Sequence, residues 1–460
     1  MKMDDTIAAI ATAPGAGGIA VVRVSGPQAE AIALHLFRMK DGRLPVLETH
    51  HLYHGHILSP AGGSLVDEVM VALMRAPRSY TGEDVLEIHG HGGYLLPQKI
   101  LAEVLKAGAR PAEPGEFTKR AFLNNRMDLS QAEAVADMIA ARTERGLEIA
   151  QAQYQGRLSV GIGKLRAELA DILALLEAAI DFVEDIDDLP EDKSIPKRLQ
   201  NIVQDLNRLA ASYGEGKILR EGVSLVIAGK TNVGKSSLLN QFLGEKRAIV
   251  TPIPGTTRDF IEEQVKIHDI IVRLTDTAGI RETGEAVEQA GIDLVWQRVA
   301  AADAVLILLD GSEAMTREDT EIIEKLRGKP LIPVVNKADL PQTLSEEEIT
   351  RTLPGKAAIR ISAKYGNGLE ELREAIYRHF CRDRSDNPPA DTITHLRHRL
   401  AIEKAVFHLC EATAGAVRGV SPELTAADLR DALDALEEII GKTANDFILA
   451  RIFASFCIGK

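Results

Sequence analysis

Residues 229–236 read GKTNVGKS, and their flanks decide what such a loop can be. Residues 224–228 form an apolar, strand-like run, and residues 237–243 have helix-forming composition. A loop that fits G-x-x-x-x-G-K-[ST] and joins a strand to a helix is a phosphate cradle. Its glycines admit close backbone approach, and the helix N-terminus adds partial positive charge. Lys235 can reach β- and γ-phosphates, and Ser236 can offer a hydroxyl to Mg2+. Such a loop commits the surrounding chain to an α/β layer.

The segment that follows keeps the strand–helix alternation. Residues 272–276, Ala304–Asp310, Leu331–Asn336 and residues 358–362 are apolar runs separated by helical stretches. A parallel sheet with helices on both faces is therefore expected. The strand ends carry polar signatures. Asp276, Thr277, Ala278 and Gly279 (DTAG) can hold magnesium through a water and sense a γ-phosphate through the glycine N–H. Asn336, Lys337, Ala338 and Asp339 (NKAD) end in a carboxylate that can accept from the N1–H and 2-amino group of guanine. Adenine lacks that donor pair, so Asp339 would reject ATP. Ser362, Ala363 and Lys364 can offer a backbone N–H to the guanine O6. With Asn232, Val233, Gly234, Lys235, Ser236 and Ser237 of the phosphate loop, these are the expected GTP contacts. In the identity and order of its motifs the segment resembles the translation-factor-like GTPases.

The hydrolytic machinery departs from the Ras-like pattern. That pattern continues DTAG with a Gln that orients water, and here the position is Ile280. Arg258 and Arg281 read as solvated loop charges rather than arginine fingers. Residues 251–259 are TPIPGTTRD, in which Thr257 offers a hydroxyl to magnesium. Asn232 either contributes an oxygen to a monovalent-cation cage, bringing the charge an arginine finger otherwise supplies, or simply caps the loop.

Elsewhere the texture differs. Residues 19–24, Leu65–Met74 and residues 85–89 read as strands, and residues 28–37 and 97–105 as helices, an α+β pattern. From Met127, Ala, Leu, Glu and Gln dominate. Leu165, Leu169, Ile172, Leu173, Leu176, Ile180 and Val183 keep helical spacing up to an acidic break at 184–192, and a further helix is expected over 196–213. A polar linker spans 382–391, after which Leu429, Leu433, Leu436, Ile439 and Ile440 mark one face of another helix. The expected organisation is 1–120, α+β; 121–217, helical; 218–380, α/β; and 381–460, helical again. The α/β part is then an insertion into a discontinuous helical domain.

Composition narrows function further. Lys+Arg 54 against Asp+Glu 67 leaves a net charge of −13, so nucleic acid or anionic lipid would need a local basic patch or a partner. Aromatics are 4 %, with Trp296 the single tryptophan, which argues against base-stacking platforms. Cys381, Cys410 and Cys457 form no CxxC pair, which fits a reducing cytoplasm. No apolar run approaches the roughly 18 residues of a membrane span. His89 and His91, in HGHGG, share a strand face, but no Cys or third His lies near them in sequence, and the glycines suggest close backbone approach to a ligand rather than a metal.

Four further segments extend the resemblance to the whole chain: DTIAAIATAPGAGGIAVVRVSG near the start, YTGEDVLEIHGHGG at 80–93, RPAEPGEFTKRAFLNNRMDLSQAEA at 110–134, and the terminal FCIGK. Through them the chain resembles the MnmE (TrmE) family of bacterial tRNA-modification GTPases. The resemblance implies a folate-binding, dimerising N-terminal domain, a discontinuous helical domain and an inserted Ras-like GTPase domain. It implies potassium-activated hydrolysis of GTP, with potassium held by Asn232, Thr251, Ile253 and Thr256 and magnesium by Ser236 and Thr257. Pro252, Pro254 and Gly255 complete the GTP loop. Glu288 matches the family's catalytic acid, although by itself it reads as a solvated glutamate at an acidic helix start. Folate contacts fall on Arg23, Glu87, Arg126 and Lys460, with Arg126 standing where the family commonly has Lys. The folate would be a 5-formyl or methylene tetrahydrofolate. Cys457 is a candidate functional thiol or a small half-buried hydrophobe. The resemblance further implies a homodimer, a heterotetramer with the FAD-dependent MnmG (GidA), and modification of the tRNA wobble uridine at carbon 5 with a carboxymethylaminomethyl or aminomethyl group. The alternative from another class is a regulatory Era/Der-like GTPase switch in ribosome assembly. Such proteins usually add a basic RNA-binding module, which is not visible here.

Overall fold

A computed structural model describes residues 5–60, 62–181, 194–244, 263–276, 296–381, 391–418, 420–443 and 445–459. The chain divides into two compact units. The first comprises residues 1–139, 151–207 and 400–460, and the second residues 140–150 and 208–399. Residues on both sides of the α/β segment belong to the first unit, which makes that segment an insertion.

In the first unit the strands are β1 (Ile7–Ile10), β2 (Ile19–Ser25), β3 (Phe37–Met39), β4 (Leu52–Leu58), β5 (Leu65–Met74), β6 (Val85–His91) and β7 (Arg110–Pro111). They form one sheet in the order β3-β4-β5-β6-β2-β1-β7. Every pairing is antiparallel except β1 with β7. Helices α1 (Ala29–Leu36) and α2 (Leu96–Lys106) cover one face. Val22, Val24, Val69, Val71, Leu86 and Ile88 point into that core with Ile32, Ile100 and Val104. Alternation along a strand therefore turns Arg23 and Glu87 to the opposite face, and the register sets them directly across from each other. On that side Ile7, Ala9, Ala112 and Phe117 make a smaller cluster against Tyr80.

Helix α3 (Glu116–Leu123) brings a buried ionic network. Arg120 is 1 % exposed. It donates to Asp5 Oδ1 at 2.7 Å, Glu116 Oε1 at 3.0 Å and Glu83 Oε2 at 3.1 Å. Arg110 grips the same Asp5 and Glu116. Burial pushes the Glu116 carboxyl up, but hydrogen bonds from Arg110, the Glu113 N–H and Arg120 outweigh it and hold the group below its ordinary value. The folded chain thus binds that proton less readily than the unfolded one. The network's contribution is complete above the ordinary carboxylate range and is lost as pH falls through and below it. Replacing Arg120 by Ala leaves buried carboxylates unpaired and is expected to cost about 3–5 kcal/mol. Chemical denaturation of the two chains at neutral pH measures that difference.

Helices α4 (Leu129–Ala140), α5 (Glu144–Tyr154), α6 (Arg157–Asp181) and α7 (Ile195–Glu221) follow. In the first unit α6 packs along a late helix, Pro422–Ile440. Leu169 and Ile172 are fully buried on one side, and Leu429, Ala432, Ala435, Leu436 and Ile439 on the other. Arg166–Glu437 and Arg430–Glu177 ion pairs flank the seam. Val183 of the expected stripe and the acidic break lie outside the described residues.

The second unit holds β8 (Val223–Ala228), α8 (Lys235–Gly244), β9 (Glu263–Ile267), β10 (Ile270–Asp276), β11 (Ala304–Asp310), α9 (Arg317–Lys325), β12 (Leu331–Asn336), α10 (Glu346–Thr352), β13 (Ile359–Arg360) and α11 (Leu369–Cys381). Its sheet runs β13-β12-β11-β8-β10-β9. Alternate residues of β8 and β11 feed two cores. Leu225, Ile227, Leu306 and Leu308 meet α8 and α11, whereas Val226, Val305, Ile307 and Leu309 meet α9 and α10. Burial on both faces is the mark of a doubly covered sheet. The parallel expectation holds for β8, β10, β11, β12 and β13. Edge strand β9 differs: it pairs antiparallel with β10 through a tight turn at His268 (φ 49°).

Candidate functional site

In the second unit the chain leaves β8 through Gly229 and Lys230 and enters α8 at Lys235. The loop turns through left-handed backbone at Asn232 (φ 58°) and Gly234 (φ 101°). Glycine is required at 234, because a Cβ there would collide with Asn336 Nδ2. Lys235 Nζ donates to the carbonyls of Gly229 at 2.9 Å and Lys230 at 2.8 Å, so the ammonium is held inside the loop's curl. Lys230 turns elsewhere, to Glu313 at 2.9 Å and Asp319 at 3.5 Å. Burial disfavours its charge, but those two carboxylates overcome this and raise its pKa.

Asn336 ties three motifs together. Its amide donates to Val233 O at 2.7 Å, and its Oδ1 accepts from the Ala363 N–H at 2.8 Å. The phosphate loop, NKAD and Ser362–Ala363–Lys364 are thereby locked to one another. Lys337 sits in left-handed backbone (φ 63°) with Nζ 2.5 Å from buried Asp310 Oδ2. Burial raises the Asp310 pKa, yet hydrogen bonds from Lys337 and Ser312 and the Lys337 charge bring it below its ordinary value. Ser362 Oγ donates to Asp339 Oδ1 at 2.6 Å, fixing a carboxylate that is otherwise exposed. Asn232, Gly234, Ser237, Lys337, Asp339 and Ala363 all line a cleft of about 620 Å³. Lys364 lies on the same wall with Nζ 4.9 Å from the Tyr365 ring centre. The cleft is thus lined by phosphate-loop residues and by an oriented carboxylate.

Sequence reasoning missed Asn240 and Gln241, which also line this cleft. Helical spacing from Ser237 was the available signal, since positions three and four later share its face. The bridging role of Asn336 and the Asp310–Lys337 pair had no sequence signal. Asp276 ends β10, and Ser236 is exposed at the start of α8. Thr251, Pro252, Ile253, Pro254, Gly255, Thr256, Thr257, Thr277, Ala278, Gly279 and Glu288 lie outside the described residues, as do Arg258, Ile280 and Arg281.

A second cluster lies in the first unit. Arg23 Nε and Nη2 donate to Glu87 Oε1 at 2.9 and 2.8 Å, and Nη1 reaches Gly459 O at 3.4 Å. The guanidinium also faces the Tyr80 and Phe117 rings at 5.6 and 5.8 Å. The described residues before the last are packed: Phe456 and Phe453 are buried with Leu129 and Met127, and Gly459 is buried beside Ile10. Cys457 is exposed, not half-buried, and Lys460 lies outside the described residues. Arg126 is exposed and lines a cleft with Tyr80. His89 Nε2 lies 3.2 Å from Glu87 Oε2, and His91 is gripped by Asp67, whose hydrogen bond and charge raise its pKa. Each histidine has a carboxylate partner. Among the described residues no helix is long and apolar enough to cross a membrane.

Comparison with known proteins covers both clusters. Residues 6–126 match the family described as GTP-binding protein TrmE N-terminus, and residues 129–457 match MnmE helical domain. The chain is 50 % identical over 458 residues to the tRNA modification GTPase MnmE of Syntrophus aciditrophicus, covering 100 % of each. It is 47 % identical over 461 residues to the tRNA modification GTPase MnmE of Geobacter sulfurreducens, again covering 100 % of each. Among solved structures, GDP·AlF4−-bound Era of Aquifex aeolicus is 30 % identical, covering 40 % of this chain and 67 % of that one, with a TM-score of 0.28.

Proposed function

The chain belongs to the MnmE (TrmE) family of tRNA-modification GTPases, and from that premise we propose a potassium-stimulated GTP hydrolase that serves folate-dependent modification of the tRNA wobble uridine. GTP hydrolysis and a part in tRNA modification come with the family. The finer assignments are ours. The observation that carries the nucleotide part of this reading is the convergence of phosphate loop, NKAD and residues 362–364 on one cleft through Asn336.

In this reading Lys235 holds β- and γ-phosphate oxygens, and the Val233–Ser237 N–H groups at the start of α8 receive the rest of the phosphate chain. Asp339, oriented by Ser362, accepts the guanine N1–H and 2-amino group. The Ala363–Lys364 backbone faces O6. Ser236, Thr257 and Asp276 are hard oxygen donors, a set that suits Mg2+. Asn232, Thr251, Ile253 and Thr256 would hold K+; that Asn232 lines the cleft supports its place in this set. Bound there, the cations would supply positive charge beside the phosphate oxygens. Glu288 orients the attacking water, the task Gln performs in Ras-like chains.

Residues 1–120 would bind a 5-formyl or methylene tetrahydrofolate and form the homodimer contact, 121–217 and 381–460 would form the helical domain, and 218–380 the GTPase domain. Glu87, fixed by Arg23, offers a carboxylate to the pterin's ring N–H and 2-amino donor pair. Arg126 and Lys460 complete the set, and Cys457 is a solvent-exposed thiol near it in sequence. The FAD-dependent MnmG would join as a heterotetramer in the cytoplasm. Equilibrium binding of 5-formyltetrahydrofolate to the full chain tests this part. Glu87→Gln is expected to weaken binding roughly tenfold to a hundredfold, the range of a hydrogen bond to a charged group, with GTP affinity unchanged. Unaltered folate affinity would remove Glu87 from the site.

A further inference from the structure

Residues 1–139 contain eight arginines. Arg23, Arg43, Arg75, Arg110 and Arg120 each face a carboxylate, and Arg38 donates to backbone carbonyls. Arg78 and Arg126 have no ion-pair partner among the described residues. These two line the same open cleft, of about 380 Å³, with His50, Met74, Ser79 and Tyr80. No acidic side chain lines it. Two exposed guanidiniums around one concavity with no acidic lining give it local positive charge, in a chain of net charge −13.

Neither end of this cleft is loose. The Tyr80 hydroxyl and Thr118 Oγ1 are 2.8 Å apart, which fixes the ring. The Arg126 stem lies against Gly82, where an added Cβ would meet Arg126 Cγ at 3.2 Å (φ 80°). Tyr80 is also the ring beneath Arg23, the partner of Glu87. Tyr80 is thus shared by the cleft and by the Arg23–Glu87 pair.

Resting on the folate reading of that pair, we propose that the Arg78–Arg126 cleft binds the glutamate chain of the folate, and so selects folates carrying several glutamates. A folate presents its pterin at one end and, beyond the aminobenzoyl ring, glutamates that each add a carboxylate. Guanidinium forks match carboxylates in geometry and charge. An RNA backbone is the poorer fit, because phosphate-driven binding draws on several cations at once.

The test compares 5-formyltetrahydrofolate bearing one glutamate with the same folate bearing five, binding to the full chain at low salt. The wild type is expected to favour the longer form by about fivefold to tenfold, the range that two exposed ion pairs supply. Arg78→Ala should bring that ratio close to one, weakening the five-glutamate form more than the single-glutamate form. Arg78→Lys should retain part of the preference. Equal wild-type affinities would overturn the inference and leave the folate reading standing. No binding of either form would overturn both. Loss of tRNA affinity in Arg78→Ala, with the glutamate preference intact, would assign the cleft to RNA and also overturn it.

Discussion

Asp339→Asn is expected to change the base this chain prefers from guanine to xanthine. Ser362 Oγ holds one carboxylate oxygen of Asp339 at 2.6 Å, so the group is aimed before any base arrives. Guanine offers it two adjacent donors, the N1–H and the 2-amino group. An amide in its place turns an N–H2 toward those donors, and the charge-assisted bonds are lost. Sites built to hydrogen-bond a ligand reject a mismatched partner strongly, because their polar groups are left unpaired. GTP affinity should fall by roughly a hundredfold or more. Xanthine carries a carbonyl at position 2, which an Asn amide can satisfy. Xanthosine triphosphate should therefore be hydrolysed by the Asp339→Asn variant at a rate near that of GTP in the wild type. Competition binding with both nucleotides reads this directly. Unchanged guanine selectivity would mean that Asp339 does not face the base.

Removing the lysine of the phosphate loop should have the other large effect. Lys235 Nζ is held by the Gly229 and Lys230 carbonyls at 2.9 and 2.8 Å, which presents a positive charge at the N-terminus of α8. In the proposed site, charge that develops on the phosphate oxygens during hydrolysis would meet that ammonium in place. Loss of one preorganised donor typically costs a hundredfold to a thousandfold in rate, so Lys235→Ala should lose roughly that much. Single-turnover hydrolysis at saturating GTP isolates the chemical step. The Asn336 ties to Val233 and Ala363 do not involve Lys235, so the cleft's architecture should survive the change. A rate within tenfold of wild type would contradict the role given to Lys235.

Local patterns made much of this legible. The runs at Ala304–Asp310 and Leu331–Asn336 read as buried strands because they are apolar on both faces, and both are so. The loop at 229–236 was readable because its glycines and lysine each do something only that residue type can do. Strand β9 was not readable: EQVKI is short and half polar, and its partner is recognisable only after the turn at His268 is known. Contacts distant in sequence were hidden altogether. Nothing in the pattern of Arg23 shows that it meets Gly459, 436 positions away. The Arg120 network likewise reaches Asp5 and Glu83, 115 and 37 positions away. Asn336 looked like one letter of a base-binding motif, whereas its amide also braces the phosphate loop.

Control of hydrolysis by a monovalent cation is directly measurable. GTP hydrolysis by the full chain is followed in KCl and in NaCl at matched ionic strength, for wild type and Glu288→Ala. The account predicts strong stimulation by potassium in the wild type, lost in Glu288→Ala while nucleotide binding persists. Equal rates in the two salts would contradict the roles given to Asn232, Thr251, Ile253 and Thr256, and would favour a regulatory switch of the Era/Der kind.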